Sequence, residues 1–183
     1  MRLFVSVDLA GFDTEIERIQ DRFVDASGVR SVDPSNVHVT LKFLGDVDEE
    51  RVPALTNALE TAIDEAGVDP FTAEFGGLGA FPSEEYIRVL WLGVREGSDE
   101  LTRLHESIEE RTTEMGFDRE DHEFTPHATI ARMDHAGGKE HVQRVLREND
   151  PTLGSRRVEH VALTESVLGD DGPDYSTVER FAL

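Results

Sequence analysis

The chain reads as an α+β protein of two similar antiparallel-sheet lobes flanked by helices, with a cleft between the lobes. Three observations predict this. Short stretches with the two-residue alternation of a half-buried strand recur along all 183 residues. Between them lie stretches with an apolar residue every three or four positions, the period of a helix with one buried face. The order strand, helix, His-bearing strand, helix then occurs twice. Arg2 and Arg88 open one matched pair of strands, His38 and His127 the other, at nearly equal separations.

Arg2–Asp8 alternates Leu3, Val5 and Val7 against Phe4, Ser6 and Asp8, a strand. From Phe12 to Asp25 the apolar residues Phe12, Ile16, Ile19 and Phe23 keep a helical period, with Asp13 or Thr14 as the cap. Pro34-Ser35-Asn36 is a turn signal and Val37–Leu44 a second strand, closed by Gly45-Asp46. Asp48–Ala66 is a helix with Val52, Leu55, Leu59, Ile63 and Ala66 on one face. The second half opens on a glycine-interrupted strand, Phe71–Phe81, followed by the strand Ile87–Val94. Ser98–Met115 is a helix carrying Leu101, Leu104 and Ile108 on one face. Thr125-Pro126 leads into the strand His127–Ala131, and Lys139–Glu148 is a shorter helix. Val158–Val167 and Tyr175–Leu183 are closing strands around a turn at Gly169–Pro173. No low-complexity linker divides the halves, so residues 1–183 are expected to form one bilobal domain whose lobes pack directly.

Composition narrows the setting. There are no cysteines, so disulfides and thiolate metal sites are excluded. No run approaches the roughly 18 apolar residues of a membrane span. The first residues alternate in polarity and lack the basic and apolar regions of a signal peptide, so a cytoplasmic location is expected. Asp and Glu number 39 against 18 Lys and Arg, a net charge of −21, and Lys occurs only at Lys42 and Lys139. The acidic residues are scattered, as in a protein whose entire surface has been made acidic. That pattern predicts an extreme halophile, because at 1 M salt the screening length is about 3 Å and self-repulsion is damped.

The chemistry sits in one repeated pattern, His38-Val39-Thr40-Leu41 and His127-Ala128-Thr129-Ile130. Residues i and i+2 of a strand share a face. His38, Thr40 and Lys42 are therefore expected together, with Val39, Leu41 and Phe43 on the apolar side. His127 and Thr129 project likewise. With 7 His, about 0.5 His-x-Thr is expected by chance, so one match is weak and the pair gains its force from matched strand context. A His–His metal site lacks a clear third ligand. Strict alternation points Arg132 away from His127 unless a bulge turns it. Lys42 reads as a phosphate contact or as a solvated surface lysine. The other histidines, His105 among them, read as ordinary helix or loop residues.

The segments NVHVTLKFLGDV and FTPHATIARM resemble the paired motifs of the two-histidine (2H) phosphoesterase superfamily, in particular its RNA 2′,3′-cyclic phosphodiesterase branch, often labelled 2′-5′ RNA ligase. MRLFVSVDL, GAFPSEEYIRVLWLGV and VALTESVLGDDGPDYSTVERFAL resemble its opening, central and closing strands. The resemblance implies hydrolysis of RNA 2′,3′-cyclic phosphate ends, or of small nucleotides bearing them, to a 2′-phosphate and a 3′-hydroxyl. It implies His38 as proton donor and His127 as proton acceptor, with Thr40, Thr129 and Arg132 on the phosphate, and no metal or other cofactor. A monomer acting without a membrane is expected. The same site run in reverse would join RNA ends by a 2′–5′ linkage. A non-catalytic RNA- or nucleotide-binding module on this fold is the reading from another class, and loss of a motif histidine would favour it.

Overall fold

The computed structural model describes residues 1–183. Nine strands form one curled antiparallel sheet: β1 (Arg2–Asp8), β2 (Val29–Ser31), β3 (His38–Asp46), β4 (Phe71–Pro82), β5 (Ile87–Glu96), β6 (His127–Met133), β7 (Thr152–Val158), β8 (His160–Gly169) and β9 (Gly172–Ala182). The helices are α1 (Asp13–Gln20), α2 (Val52–Ala66), α3 (Ser98–Glu114) and α4 (Lys139–Glu148). Strand order is β7-β4-β5-β6-β3-β1-β8-β9, with β2 also on β6. The sheet thus has two four-stranded halves. They meet where β3 and β6 run antiparallel, and that junction is a single residue pair, Val39 with Ala128.

Helices cover the convex side and cross between the halves. α3 follows β5 yet packs on β3, and α1 follows β1 yet packs on β6. The stripes that predict these helices are the residues they bury: Ile16 and Ile19 on α1, Leu55, Leu59 and Ile63 on α2, Leu101, Leu104 and Ile108 on α3. With Leu3, Val5 and Val7 of β1 they belong to one apolar core spanning both halves. The charged faces point outward, as expected when only one stripe of each helix is apolar.

Several expectations need correcting. Neither Asp13 nor Thr14 caps α1: Phe12 holds that position, without a side-chain hydrogen bond. The helix ends as α-helix at Gln20 and finishes in a 3-10 turn, Asp21–Phe23. Two strands escape sequence reading. β2 has three residues, and β7 carries Gly154 and adjacent arginines that blur its alternation. Both are stabilised by pairing with β6 and β4 rather than by a local pattern.

Candidate active site

The Val39–Ala128 pair places the residue after each motif histidine on the axis relating the halves. One step further along an antiparallel ladder sets His38 across from Thr129 and Thr40 across from His127. The two His-x-Thr segments therefore lie side by side on the concave face of the sheet, each histidine flanked by a threonine from the other half.

Each imidazole is held the same way. His38 Nδ1 lies 2.7 Å from the Asn36 carbonyl and His127 Nδ1 lies 2.6 Å from the Thr125 carbonyl, both two residues upstream. A carbonyl can only accept, so each Nδ1 carries a proton and each Nε2 is the ring nitrogen left to accept one. His38 Nε2 is 2.9 Å from Thr40 Oγ1.

Aromatic walls fix the rings. Phe4 stacks on His38 with centroids 4.7 Å apart, and Tyr175 meets it edge-on at 5.4 Å. Phe81 meets His127 edge-on at 4.9 Å, with Trp91 at 5.9 Å. Gly79 pairs directly with Trp91, and a Cβ there would overlap the indole ring. Gly79, one of the glycines that interrupt β4, thus makes room for the wall behind His127.

Burial is the largest cause that lowers the pKa of both histidines below the ordinary value near 6.5, since it disfavours the imidazolium. The carbonyl hydrogen bonds oppose the shift. The Arg132 charge adds to it at both rings, as do His127 at His38 and His122 at His127. Burial raises the Tyr175 pKa, partly offset by Arg132 and Arg2.

Both motif strands then break alternation at the same place. Val5 pairs with Lys42 but Ser6 with Thr40, leaving Leu41 as an extra residue. Leu90 pairs with Ala131 but Trp91 with Thr129, leaving Ile130 as the extra residue. A one-residue bulge flips everything after it to the other face. His38–Leu44 and His127–Met133 accordingly share one sequence of burial: half-buried, buried, half-buried, buried, buried, exposed, buried.

The bulges decide three residues. Arg132 is brought to the open face, where its charge reaches both histidines and Tyr175. Phe43, expected on the apolar side, is instead 63% exposed and lies 6.4 Å from Phe4, the ring that stacks on His38. Lys42 contradicts both sequence readings. It is 2% exposed, donates to the Asp118 carbonyl at 2.6 Å and pairs with Glu109 of α3 at 2.8 Å. Burial pushes the Glu109 pKa up, but the Lys42 hydrogen bond and charge, the Glu120 N–H and His105 together hold it below the ordinary value. Lys42 is therefore a core cation whose ammonium group is engaged by Glu109 and the Asp118 carbonyl. His105 is also more than an ordinary helix residue. It is buried, stacks on Phe124 with centroids 4.1 Å apart, and donates Nδ1–H to the Leu41 carbonyl at 2.7 Å.

No helix is long and apolar enough to cross a membrane. Residues 8–170 match the 2′-5′ RNA ligase superfamily. The chain is 36% identical, over 100% of its length and 99% of the relative's, to an RNA 2′,3′-cyclic phosphodiesterase of Methanothermobacter thermautotrophicus. It is also 36% identical, over 99% of both chains, to one from Archaeoglobus fulgidus. Among solved structures, a protein of Thermus thermophilus superposes with a TM-score of 0.81 at 30% identity, covering 100% of this chain and 98% of its own. LigT of Escherichia coli, complexed with 3′-AMP, gives 0.78 at 25% identity, covering 100% and 97%.

Proposed function

The chain belongs to the 2′-5′ RNA ligase superfamily, and from that premise we propose that it hydrolyses RNA 2′,3′-cyclic phosphate ends to 2′-phosphate and 3′-hydroxyl through His38 and His127. The observation that carries the reading is the paired presentation of two imidazoles. Both are fixed through Nδ1 to a carbonyl two residues upstream, and both offer Nε2 on one concave face.

His127 Nε2 takes a proton from water as the water oxygen attacks phosphorus. The P–O3′ bond breaks, and His38 Nε2 gives its proton to the departing O3′. One base and one acid suffice, because each imidazole changes charge near neutral pH. The anionic phosphodiester favours the imidazolium, so binding raises the pKa that burial and Arg132 lower, and His38 is charged when it is needed. Thr40 and Thr129 donate hydroxyl hydrogen bonds to the non-bridging oxygens, whose charge grows in the transition state. Arg132 supplies a cation to the same oxygens. Phe43, exposed and backed by the buried Phe4, offers an aromatic surface near His38 on which the terminal base can stack. No step of this mechanism calls on a metal, since one imidazole takes the proton and the other gives it.

The acidic surface fits the same reading in a salt-rich cytoplasm, with the chain acting as a monomer on RNA ends. Lys42 is buried, which leaves Lys139 as the one lysine at the surface of a chain with net charge −21. Long RNA gains little from so acidic a protein, and recognition is confined to the terminal nucleotide. The test is incubation with a 2′,3′-cyclic-phosphate oligonucleotide in EDTA across a KCl series, with end-group analysis. A 2′-phosphate product, with stability and turnover rising toward molar KCl, is expected. Loss of activity in EDTA that a divalent metal restores would sink the metal-free mechanism. A KM that worsens steeply with salt, in a fold already stable in dilute buffer, would sink the halophile reading.

A further inference from the structure

The two bulges turn Phe43 and Arg132 toward the catalytic face, and each bulge is held by a polar side chain from a helix that crosses from the other half. At Leu41 the carbonyl accepts Nδ1–H of His105, on α3. At Ile130 the carbonyl accepts Nε2–H of Gln20, the last residue of α1, at 2.9 Å, in addition to the Val32 N–H at 3.0 Å. The second proton of the Gln20 amide goes to the Val32 carbonyl at 2.7 Å. Leu41 and Ile130 are the extra residues of their strands, three positions after His38 and His127. Gln20 and His105 are both buried, 5% and 8% exposed, in a class of position where a polar group is kept only with its partners in place.

We propose that Gln20 and His105 are a matched pair of positioning residues, each holding one bulge in register and so placing Arg132 and Phe43 beside the reacting phosphate. The proposal rests on the reading of His38 and His127 as the catalytic pair. Neither clamp touches substrate. Each acts on a backbone carbonyl whose neighbours two residues on are the exposed side chains of the site. Without the clamp, the extra residue can slip back into the ladder. That slip would return position 132 or 43 to the buried face and push an apolar residue outward. The two halves use different donors for the same task, so what is required is a side-chain N–H from the crossing helix rather than an imidazole or an amide as such.

Gln20→Met keeps the length and deletes the donor. It is expected to lower kcat/KM on a dinucleotide 2′,3′-cyclic phosphate about 5–10-fold, with little further loss when combined with Arg132→Ala, since residues acting as one unit are not additive. His105→Leu should show the same non-additivity with Phe43→Ala, whereas His105→Gln, which retains an N–H, should stay near wild type. Backbone chemical shifts give a readout independent of turnover. In Gln20→Met the shifts at Ile130, Ala131 and Arg132 should move from bulged to regular strand values, while His127→Ala should leave them alone. Unchanged shifts in Gln20→Met, or losses that multiply with those of Arg132→Ala, would overturn the proposal. A wild-type protein that does not open the cyclic phosphate overturns the catalytic reading instead, and the shifts still decide the clamps.

Discussion

The His38 half and the His127 half repeat one backbone device. In each, a histidine donates to a carbonyl two residues upstream, a threonine follows on the same face, a bulge falls at the third residue after the histidine, and a helix from the other half supplies a donor to the bulge carbonyl. The side chains set on that device differ. After the bulge the first half presents Lys42 inward and Phe43 outward, the second Ala131 inward and Arg132 outward. An in-line displacement needs two groups on opposite sides of phosphorus, which duplicated backbone geometry supplies. It also needs one donor and one acceptor and a substrate held one way round, which symmetry cannot supply. The residues turned outward after the two bulges break it, Phe43 in one half and Arg132 in the other.

The most severe way to break the comparison is to remove a histidine. His38→Ala and His127→Ala are each expected to reduce turnover by about 10²–10⁴-fold while leaving the fold intact, because both rings sit at the open face rather than in the core. Near-normal turnover in either variant would show that the halves are not partners in the chemistry. Lys42 tests the inward positions. Lys42→Met strands the Glu109 carboxylate, a loss expected to cost about 3–5 kcal/mol in denaturant unfolding, and Glu109→Leu in addition should recover most of it. Substitution at Ala131, its counterpart, strands no charge. If Lys42→Met keeps full stability but loses substrate affinity, Lys42 is a phosphate ligand after all.

Thr40→Val and Thr129→Val sharpen the equivalence of the two hydroxyls. Each is expected to remove about 1–3 kcal/mol of transition-state stabilisation, read as kcat/KM. A loss of melting temperature without loss of rate would make them structural. The smallest effect is in pH. Since burial lowers both histidines, the bell of kcat/KM should be centred on the acid side of the ordinary histidine range, with the alkaline limb of kcat displaced upward once phosphate is bound. The sign for stability follows by linkage. Below the unfolded value near 6.5 the unfolded chain binds protons that the folded chain does not, so stability falls as pH falls toward the lowered folded values. Replacing either histidine by alanine should flatten that decline. A decline of the same slope in both variants would place the titrating groups elsewhere.

Much of the site was legible because its signals are local. The i, i+2 parity puts His38 with Thr40 and His127 with Thr129 on a common face without any knowledge of the sheet. The stripes at Ile16 and Ile19, and at Leu101, Leu104 and Ile108, locate their helices for the same reason. Lys42 and Phe43 were misplaced because parity counting assumes an unbroken strand, and nothing in LKFLG announces a bulge. Arg132 was recoverable only as a condition on such a bulge. His105 and Gln20 carried no signal at all, since a buried polar residue on a helix reads like any other until its acceptor is known.

What the sequence determined by itself is therefore the four helices, seven of the nine strands, the duplication and the four motif residues, all encoded in spacings of a few positions and in one repeat. The tertiary structure decided that the halves meet at Val39 and Ala128, that each strand shifts register after its motif, and that helices cross to hold the shifted carbonyls. These depend on which residue of one strand faces which residue of another. That choice is made by hydrogen bonds and core packing between segments far apart in the chain, and no local period records it.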